Sequence, residues 1–427
     1  MKIATVVGLG YVGLPLACLC AEKGHKVYGL DVDKNRVDSV NRNESPIEDE
    51  YVANKLKSLN KGIKATTDPK ECIPNSDVVI VCVPTPVDRN NSPDLTAVMN
   101  ASSTISKFIR QGTLLIIEST IYPGTIEEVV LPILQKQKFD VRKNDILVAH
   151  CPERIDPGNK KWTIDILPRV VGGVTKEATK AAAEFYRSIL NAEVLELSSV
   201  KAAEATKIME NTFRDVNIAF VNEMAQSFDK AGIDILEVIR GASTKPFAFM
   251  PHYPGTGVGG HCIAQDPYYM IERGKQLGFN HKFLILAREI NNNMPHYTVE
   301  LLENELKELK KTIKGAKVGV LGVAYKGNVD DTRESPAHEV INVLKTKGAD
   351  VFIFDPHVAK ESNVKDLDEL LNKSDYVVLV TEHKEFKAMD LDKLKKHKIL
   401  VVIDGRNCLD KEKIKSMGIA YHGIGRF

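Results

Sequence analysis

Cys262 stands in the segment PHYPGTGVGGHCIAQDPYY (251–269), preceded by Gly255, Gly257, Gly259 and Gly260. Glycines at that density let backbone wrap closely round a ligand. His261 is adjacent and Asp266 follows four residues later. A structural cysteine usually lies inside an apolar run, and this one does not. Cys262 therefore reads as a thiolate nucleophile, with a buried cysteine behind a flexible loop as the alternative. A second set lies at 207–214, where Lys207, Asn211 and Arg214 are spaced i, i+4, i+7. On a helix they share one face. Ile208, Met209, Phe213, Val216 and Phe220 surround them, so the helix is expected to be mostly buried, and buried polar groups need partners. The lysine suits an alkoxide and the asparagine a substrate or water; a solvated edge is the plainer alternative.

A third set is GLGYVG at residues 8–13, after the strand-like KIATVV and before LPLACLCAEKG. The next strand-like run, KVYGL, ends at Asp31. This strand–turn–helix–strand context makes the motif a dinucleotide site. Gly8 allows the tight turn, Gly10 lets the backbone approach a pyrophosphate, and Gly13 lets helix and strand pack. The pyrophosphate would sit at the helix N-terminus. Asp31 would accept from the adenosine ribose and repel a 2′-phosphate, which favours NAD over NADP. Arg36 could reach the adenine side. Thr85 (VPTP) and Thr120 (IIEST) follow strands, where such sites are completed, though either is equally an ordinary turn residue.

Three further loops read as anion binders: PERIDPG with Glu153 and Arg154, AYKGNVDDTRES with Lys326 and Arg333, and DGRN with Arg406. Each follows a strand, and each basic residue alone is an ordinary surface charge. Together they suggest a phosphate site on the second α/β half, such as one for a nucleotide diphosphate.

The elements that must position these groups are legible as runs of apolar residues. KIATVVGLG, KVYGLDVD, DVVIVCVPTP, TLLIIEST and DILVAHCPE read as parallel strands buried on both faces. AKVGVLGVAY, ADVFIFDP, DYVVLVTEH and KILVVIDGRN repeat the scheme near the end, without a full GxGxxG. Between them, a proline-free helical pattern runs from Lys201 to Gly232, with Gly232 as its C-cap. The expected fold is α/β, with two Rossmann-like doubly wound domains joined by a long central helix and helical region. The expected boundaries are 1–198 for NAD binding, 199–312 for the helical, dimerising part with the cysteine loop, and 313–427 for the second α/β half with the phosphate site.

The 427 residues hold 58 Lys and Arg against 57 Asp and Glu, a net charge of +1, which argues against a whole-chain grip on nucleic acid. Gly8, Gly10, Gly13 and Pro15 interrupt the apolar opening stretch, against a signal peptide, and no run reads as a membrane span. Seven cysteines with no CxxC pair imply no disulfide framework, and a reduced, cytoplasmic setting is expected. Every cysteine except Cys262 reads as a small buried hydrophobe. No HExxH or paired CxxC suggests a metal.

In order along the chain, GLGYVG, VPTP, EST, PER, KxxxNxxR, GVGGHCxxxDP, AYKxxxxDxRES and DGR closely resemble the nucleotide-sugar 6-dehydrogenases. The resemblance spans essentially all 427 residues, and GGxCxxxDP is its most specific part. It implies oxidation of a sugar C6 alcohol to a carboxylate with two NAD, through a thiohemiacetal and a thioester on the cysteine. PER with DPG, and YPGTGVGGHCIAQDPYY, resemble the UDP-N-acetylhexosamine branch, with the mannosamine epimer the expected sugar. UDP-N-acetylglucosamine and UDP-glucose are the alternatives.

By that resemblance Lys207 stabilises oxyanions with Asn211, Asp266 and Thr120 hold water, and Glu153 assists thioester hydrolysis. Arg154, Ile155, Arg214, Tyr325, Lys326 and Arg406 bind substrate, with Tyr253, Gly257 and Gly259 of the glycine loop. Tyr11, Val12, Asp31, Arg36, Thr85, Thr120 and Arg333 contact NAD. UDP-glucose members carry an arginine sixteen residues before the cysteine; here that position is Pro246, beside Lys245, and His252 is the candidate for a related role. A homodimer or dimer of dimers is expected. Two other readings compete: a two-electron β-hydroxyacid-type dehydrogenase, which needs neither Cys262 nor a complete second α/β half, and a non-catalytic NAD sensor, which needs neither Cys262 nor Lys207.

Overall fold

The structure, a computed structural model, describes the chain except Glu48, Arg89, residues 156–160 and His261. The chain divides into two compact units, Met1–Glu210 with Tyr268–Phe279, and Asn211–Pro267 with Asn280–Phe427.

The first unit is built on an eight-stranded sheet. Its strands are β1 (Ile3–Val7), β2 (Lys26–Leu30), β3 (Ile63–Thr66), β4 (Val78–Val81), β5 (Leu114–Ile117), β6 (Leu147–His150), β7 (Arg169–Gly173) and β8 (Val194–Glu196). They lie in the order β3-β2-β1-β4-β5-β6-β7-β8. All neighbours are parallel except β6 and β7. The first six strands follow the dinucleotide-fold order, whose switch point falls between β1 and β4. Both faces are covered, which is why the strands read as unbroken apolar runs. In β4, Val78 and Ile80 enter one apolar layer while Val79 and Val81 enter the other.

The second unit holds β9 (Lys317–Leu321), β10 (Asp350–Phe354), β11 (Tyr376–Leu379), β12 (Val401–Asp404) and β13 (Ala420–Gly423). They lie in the order β10-β9-β11-β12-β13, all parallel. Val318, Val320, Val378 and Ile403 face one apolar layer, and Leu321, Val377, Leu379 and Val402 the other. The fold class is the one expected: α/β, with two Rossmann-like sheets, the first parallel but for one pair and the second wholly parallel, and a long helix between them in sequence.

That helix runs Val200–Ala231 and stops at Gly232, whose φ of 71° is the left-handed stop the sequence predicts. Its burial differs from expectation. Lys207 and Asn211 are buried, but Met209 is 72% exposed, Phe220 58% and Phe213 45%. Met209, Phe213 and Phe220 thus lie on a different face from the buried polar pair and stand largely exposed.

Candidate active site

In the first unit the turn after β1 is set by Gly8, at φ 94°. A Cβ there would stand 2.6 Å from the Cys82 carbonyl oxygen at the end of β4, so only glycine lets the two strand ends approach this closely. The chain passes Gly10 and the exposed Tyr11, and the helix Gly13–Glu22 begins. No side chain caps that helix: Val12 occupies the N-cap position and offers no acceptor. First-turn amides without a side-chain acceptor suit an incoming phosphate.

Asp31, at the end of β2, is buried. One of its oxygens accepts the Leu9 amide at 2.7 Å and lies 3.2 Å from the Arg36 guanidinium. The other accepts the Asp33 amide at 2.9 Å. The carboxylate is therefore fixed beside the glycine turn. A buried, oriented carboxylate suits ribose hydroxyls and opposes a 2′-phosphate. The loops after β4 and β5 are joined when Ser119 donates to the Val83 carbonyl at 2.7 Å. Thr85, in the first loop, is buried, and its carbonyl accepts the Tyr269 hydroxyl at 2.5 Å. Thr120, in the second, is half-buried.

Beyond β6, Glu153 is buried, accepts the Ile155 amide, and holds a carboxylate oxygen 3.6 Å from the Lys207 ammonium. At that separation the ammonium and the carboxylate form an ion pair rather than a direct hydrogen bond. Arg154 does not stand open as an anion binder. It is paired with Glu210 at 2.6 Å and donates to the Pro168 carbonyl at 3.0 Å. It is carried by the first unit, whereas Lys326, Arg333 and Arg406 belong to the second.

In the second unit, Asn211 donates to the Asp266 carboxylate at 2.5 Å, with both residues buried. Cys262 lies one turn earlier, and its carbonyl accepts the Asp266 amide at 2.8 Å. Of the seven cysteines only Cys262 is exposed. Burial pushes the thiols of Cys18, Cys151 and Cys408 up to about 12 and that of Cys72 to about 11, and raises those of Cys20 and Cys82 as well. His261 lies outside the described residues.

The glycine loop packs on the carboxyl end of the second sheet. Gly260 has φ 84°, and a Cβ there would meet the Tyr325 ring at 2.6 Å. The Gly260 amide donates to the Arg333 carbonyl at 3.2 Å. Gly259 lies against Glu334 and Pro336, and Gly257 against Asn291. Arg406 donates to the Val380 carbonyl at 2.8 Å and reaches the Tyr325 carbonyl at 3.4 Å. Lys326 stands 5.9 Å from the Tyr325 ring centroid. Arg333 is exposed and pairs with Asp331 at 2.6 Å. Arg214 and Tyr253 are exposed, while His252 packs edge-on to Phe213 with ring centroids 6.0 Å apart. Lys245 lies over the Phe247 ring at 4.9 Å.

Sequence reasoning missed the buried ladder behind this loop. Arg288 and Asn291 both donate to Asp215, at 2.6 and 2.8 Å. Asn222 donates to Asn291 at 2.9 Å, and the Gly255 amide donates to Asn222 at 2.9 Å. The signal was available as Asn222 and Asn291, polar residues at core positions of helices.

The second sheet repeats the β-turn-β geometry of the first but closes it. Gly322, at φ 91°, takes the place of Gly8, and Asp355, at the end of β10, that of Asp31. Asp355 accepts the amides of Val323 and Ala324 at 2.7 and 3.0 Å, and pairs with His383 at 2.9 Å. Burial would raise its pKa, but the His383 bond and the amides of Ala324, Val323 and His357 hold it well below the usual carboxylate range. His357, His383 and Glu385 gather nearby with metal-like spacing. However, His383 accepts the Asn328 amide on Nδ1 and bonds Asp355 through Nε2, so both ring nitrogens are committed.

A glycine turn against an uncapped helix, with a fixed carboxylate at the second strand, is the arrangement of an NAD site, and the family that the chain matches is one of NAD-dependent oxidoreductases. The chain belongs to the UDP-glucose/GDP-mannose dehydrogenase family. The family's NAD binding domain matches residues 1–190, its central domain 201–293, and its UDP binding domain 319–411. The chain is 37% identical to the UDP-N-acetyl-D-mannosamine dehydrogenase of Methanococcus maripaludis, covering 100% of this chain and 97% of that one. It is 35% identical to the UDP-N-acetyl-D-glucosamine 6-dehydrogenase of Pseudomonas aeruginosa, covering 97% and 98%. A solved structure of a UDP-D-ManNAc dehydrogenase from Pyrococcus horikoshii superposes with a TM-score of 0.93 at 34% identity, covering 99% of each chain. Among the described residues, no helix is long and apolar enough to cross a membrane.

Proposed function

We propose that the chain oxidises C6 of a UDP-N-acetylhexosamine, with UDP-N-acetyl-D-mannosamine first, to the uronic acid in two NAD-dependent steps. The observation that carries this reading is the exposed Cys262, one turn before an Asp266 held by Asn211. A single alcohol oxidation needs no thiol; a thiol lets the aldehyde be held as a hemiacetal and carried on to the acid. The similarity to mannosamine and glucosamine enzymes supports the substrate class.

In this reading Lys207 stabilises the alkoxide as the C6 alcohol loses its proton, with Asn211 donating a hydrogen bond. Bound NAD supplies the hydride acceptor, two molecules per sugar. The Cys262 thiol adds to the aldehyde carbon, forming a C–S bond, and the thiol proton passes to the hemiacetal oxygen. Loss of that proton and of a hydride leaves a thioester. Water, held by Asp266 and Thr120 and deprotonated with help from Glu153, adds to the carbonyl. The C–S bond breaks, and carboxylate and thiol are released.

Lys326, Tyr325, Arg406 and the glycine loop would hold the nucleotide end. A homodimer fits the exposed Met209, Phe213 and Phe220, and a cytoplasmic setting fits a low cysteine count with no CxxC spacing. The test is the yield of NADH per sugar at completion, with UDP-N-acetylmannosamine, UDP-N-acetylglucosamine and UDP-glucose offered separately. Two per sugar is expected, with the mannosamine form reacting fastest. One per sugar would transfer the case to a two-electron dehydrogenase.

A further inference from the structure

The helix carrying Lys207 presents Lys201, Glu204 and Lys207 at i, i+3, i+6, along one face. Each meets something different. Lys201 pairs with Glu127 at 2.5 Å, and Lys207 faces Glu153. Glu204 is fully buried, and its two carboxylate oxygens accept the backbone amides of Gly124 and Ile126 at 2.6 and 2.8 Å.

Those amides open the segment that follows Thr120. The segment is locally unusual: Ile126–Val130 is a turn of π-helix, and Gly124 has φ 100°. A π-turn has weaker intrinsic stability than an α-turn and concentrates at functional positions. Its first amides have no partner within the turn, so the carboxylate of another helix supplies one. Arg273 pairs with Glu128 on the same turn. The Thr120 segment is thus held by the helix that positions Lys207, one turn away from it.

We propose that Glu204 is a positioning residue, a carboxylate clamp that sets Thr120 relative to Lys207 and that tightens when it loses its proton. The proposal rests on the roles given above to Thr120 and Lys207. As a carboxylate, Glu204 accepts both amides strongly; once protonated, one oxygen becomes a donor and a poorer acceptor, and one amide bond weakens. Burial pushes its pKa up to about 7, against the two amides that lower it. The charged and titratable groups around it are Glu127 and Glu128 on the π-turn, Lys201 on its own helix, Arg273 on the helix Asp266–Gln276, and Tyr122. The clamp therefore closes as pH rises through neutrality.

The first measurement is hydrogen exchange of the 120–130 peptide in the enzyme without substrate. After correction for intrinsic rates, protection should rise between about one pH unit below and one above the Glu204 midpoint. The second is the pH profile of kcat for the wild type and Glu204→Gln. The wild type should show a rising limb near neutrality. Glu204→Gln should lose that limb and lose ~10-fold in kcat, with KM for NAD and sugar changed less than about 2-fold. Flat protection across the range overturns the clamp, as does a Glu204→Gln enzyme with wild-type kcat and pH profile. If the variant fails to fold, the wild-type exchange experiment still decides. An enzyme that turns over no sugar but shows the pH-dependent protection sinks the functional reading and keeps the clamp.

Discussion

Cys262 and Lys207 depend on opposite surroundings. The thiol is exposed, while the ammonium is buried against a carboxylate. Six cysteines with thiol pKa values raised by burial leave Cys262 as the reactive one, so iodoacetamide near neutral pH should label that residue alone, as read by peptide mapping. Cys262→Ala should abolish carboxylate production; retained full activity would remove the thioester route. Lys207→Met should lower kcat by roughly 10²–10³, the usual loss of one oxyanion partner, with substrate binding little changed. Asp31→Asn should raise the KM for NAD by about 10-fold and narrow the preference over NADP, because a charge-assisted acceptor becomes neutral. These residues were legible because their chemistry demands particular types at particular spacings. The Asn222–Asn291 ladder was not, because its members do no chemistry and matter only through what the fold brings beside them.

Among elements, the strands buried on both faces were legible and the marginal ones were not. VVIV and LLII have no rival reading. By contrast, β3 is IKAT with Lys64 exposed, β8 is only VLE with two exposed residues, and β13 is AYHG with half its residues partly exposed. β7 ends in two glycines and runs antiparallel to β6, outside the repeating scheme. The burial of the long helix was misjudged because a sequence shows periodicity but not which face is covered. Gly8→Ala should cost ~1–3 kcal/mol through a left-handed φ and a clash with Cys82, measured as a drop in Tm. β13 makes a different prediction. His422 bonds Asp229 at 2.8 Å and Glu305 at 3.1 Å, tying the strand to two helices. Burial would lower its pKa, but the two carboxylates raise it to about 9. A raised histidine stabilises fully below its unfolded value, and that contribution is lost as pH rises through 9. Tm should therefore fall more steeply between neutral pH and about 9.5 in the wild type than in His422→Gln.

At the scale of the whole molecule, two sheets of related topology have diverged at one carboxylate. Asp31 and Asp355 both accept backbone amides, but Asp31 keeps its place beside an uncapped helix start and the Arg36 guanidinium, while Asp355 is paired with the buried His383. Calorimetry should thus find one NAD per chain. The two-sheet architecture was readable from the alternation of strands and helices at each end. The closure of the second turn was not, because it depends on His383 arriving from a different strand's loop.

The clamp, the lysine and the asparagine all sit on one uninterrupted helix, so their spacing is a matter of counting. One inserted residue between Glu204 and Lys207 would swing every later side chain by about 100° and advance it by ~1.5 Å. This stretch of the gene should therefore accept changes of letter far more readily than changes of length. Exposed positions such as Met209 can vary freely in an isolated chain, whereas the reading of 201, 204, 207 and 211 tolerates no slip.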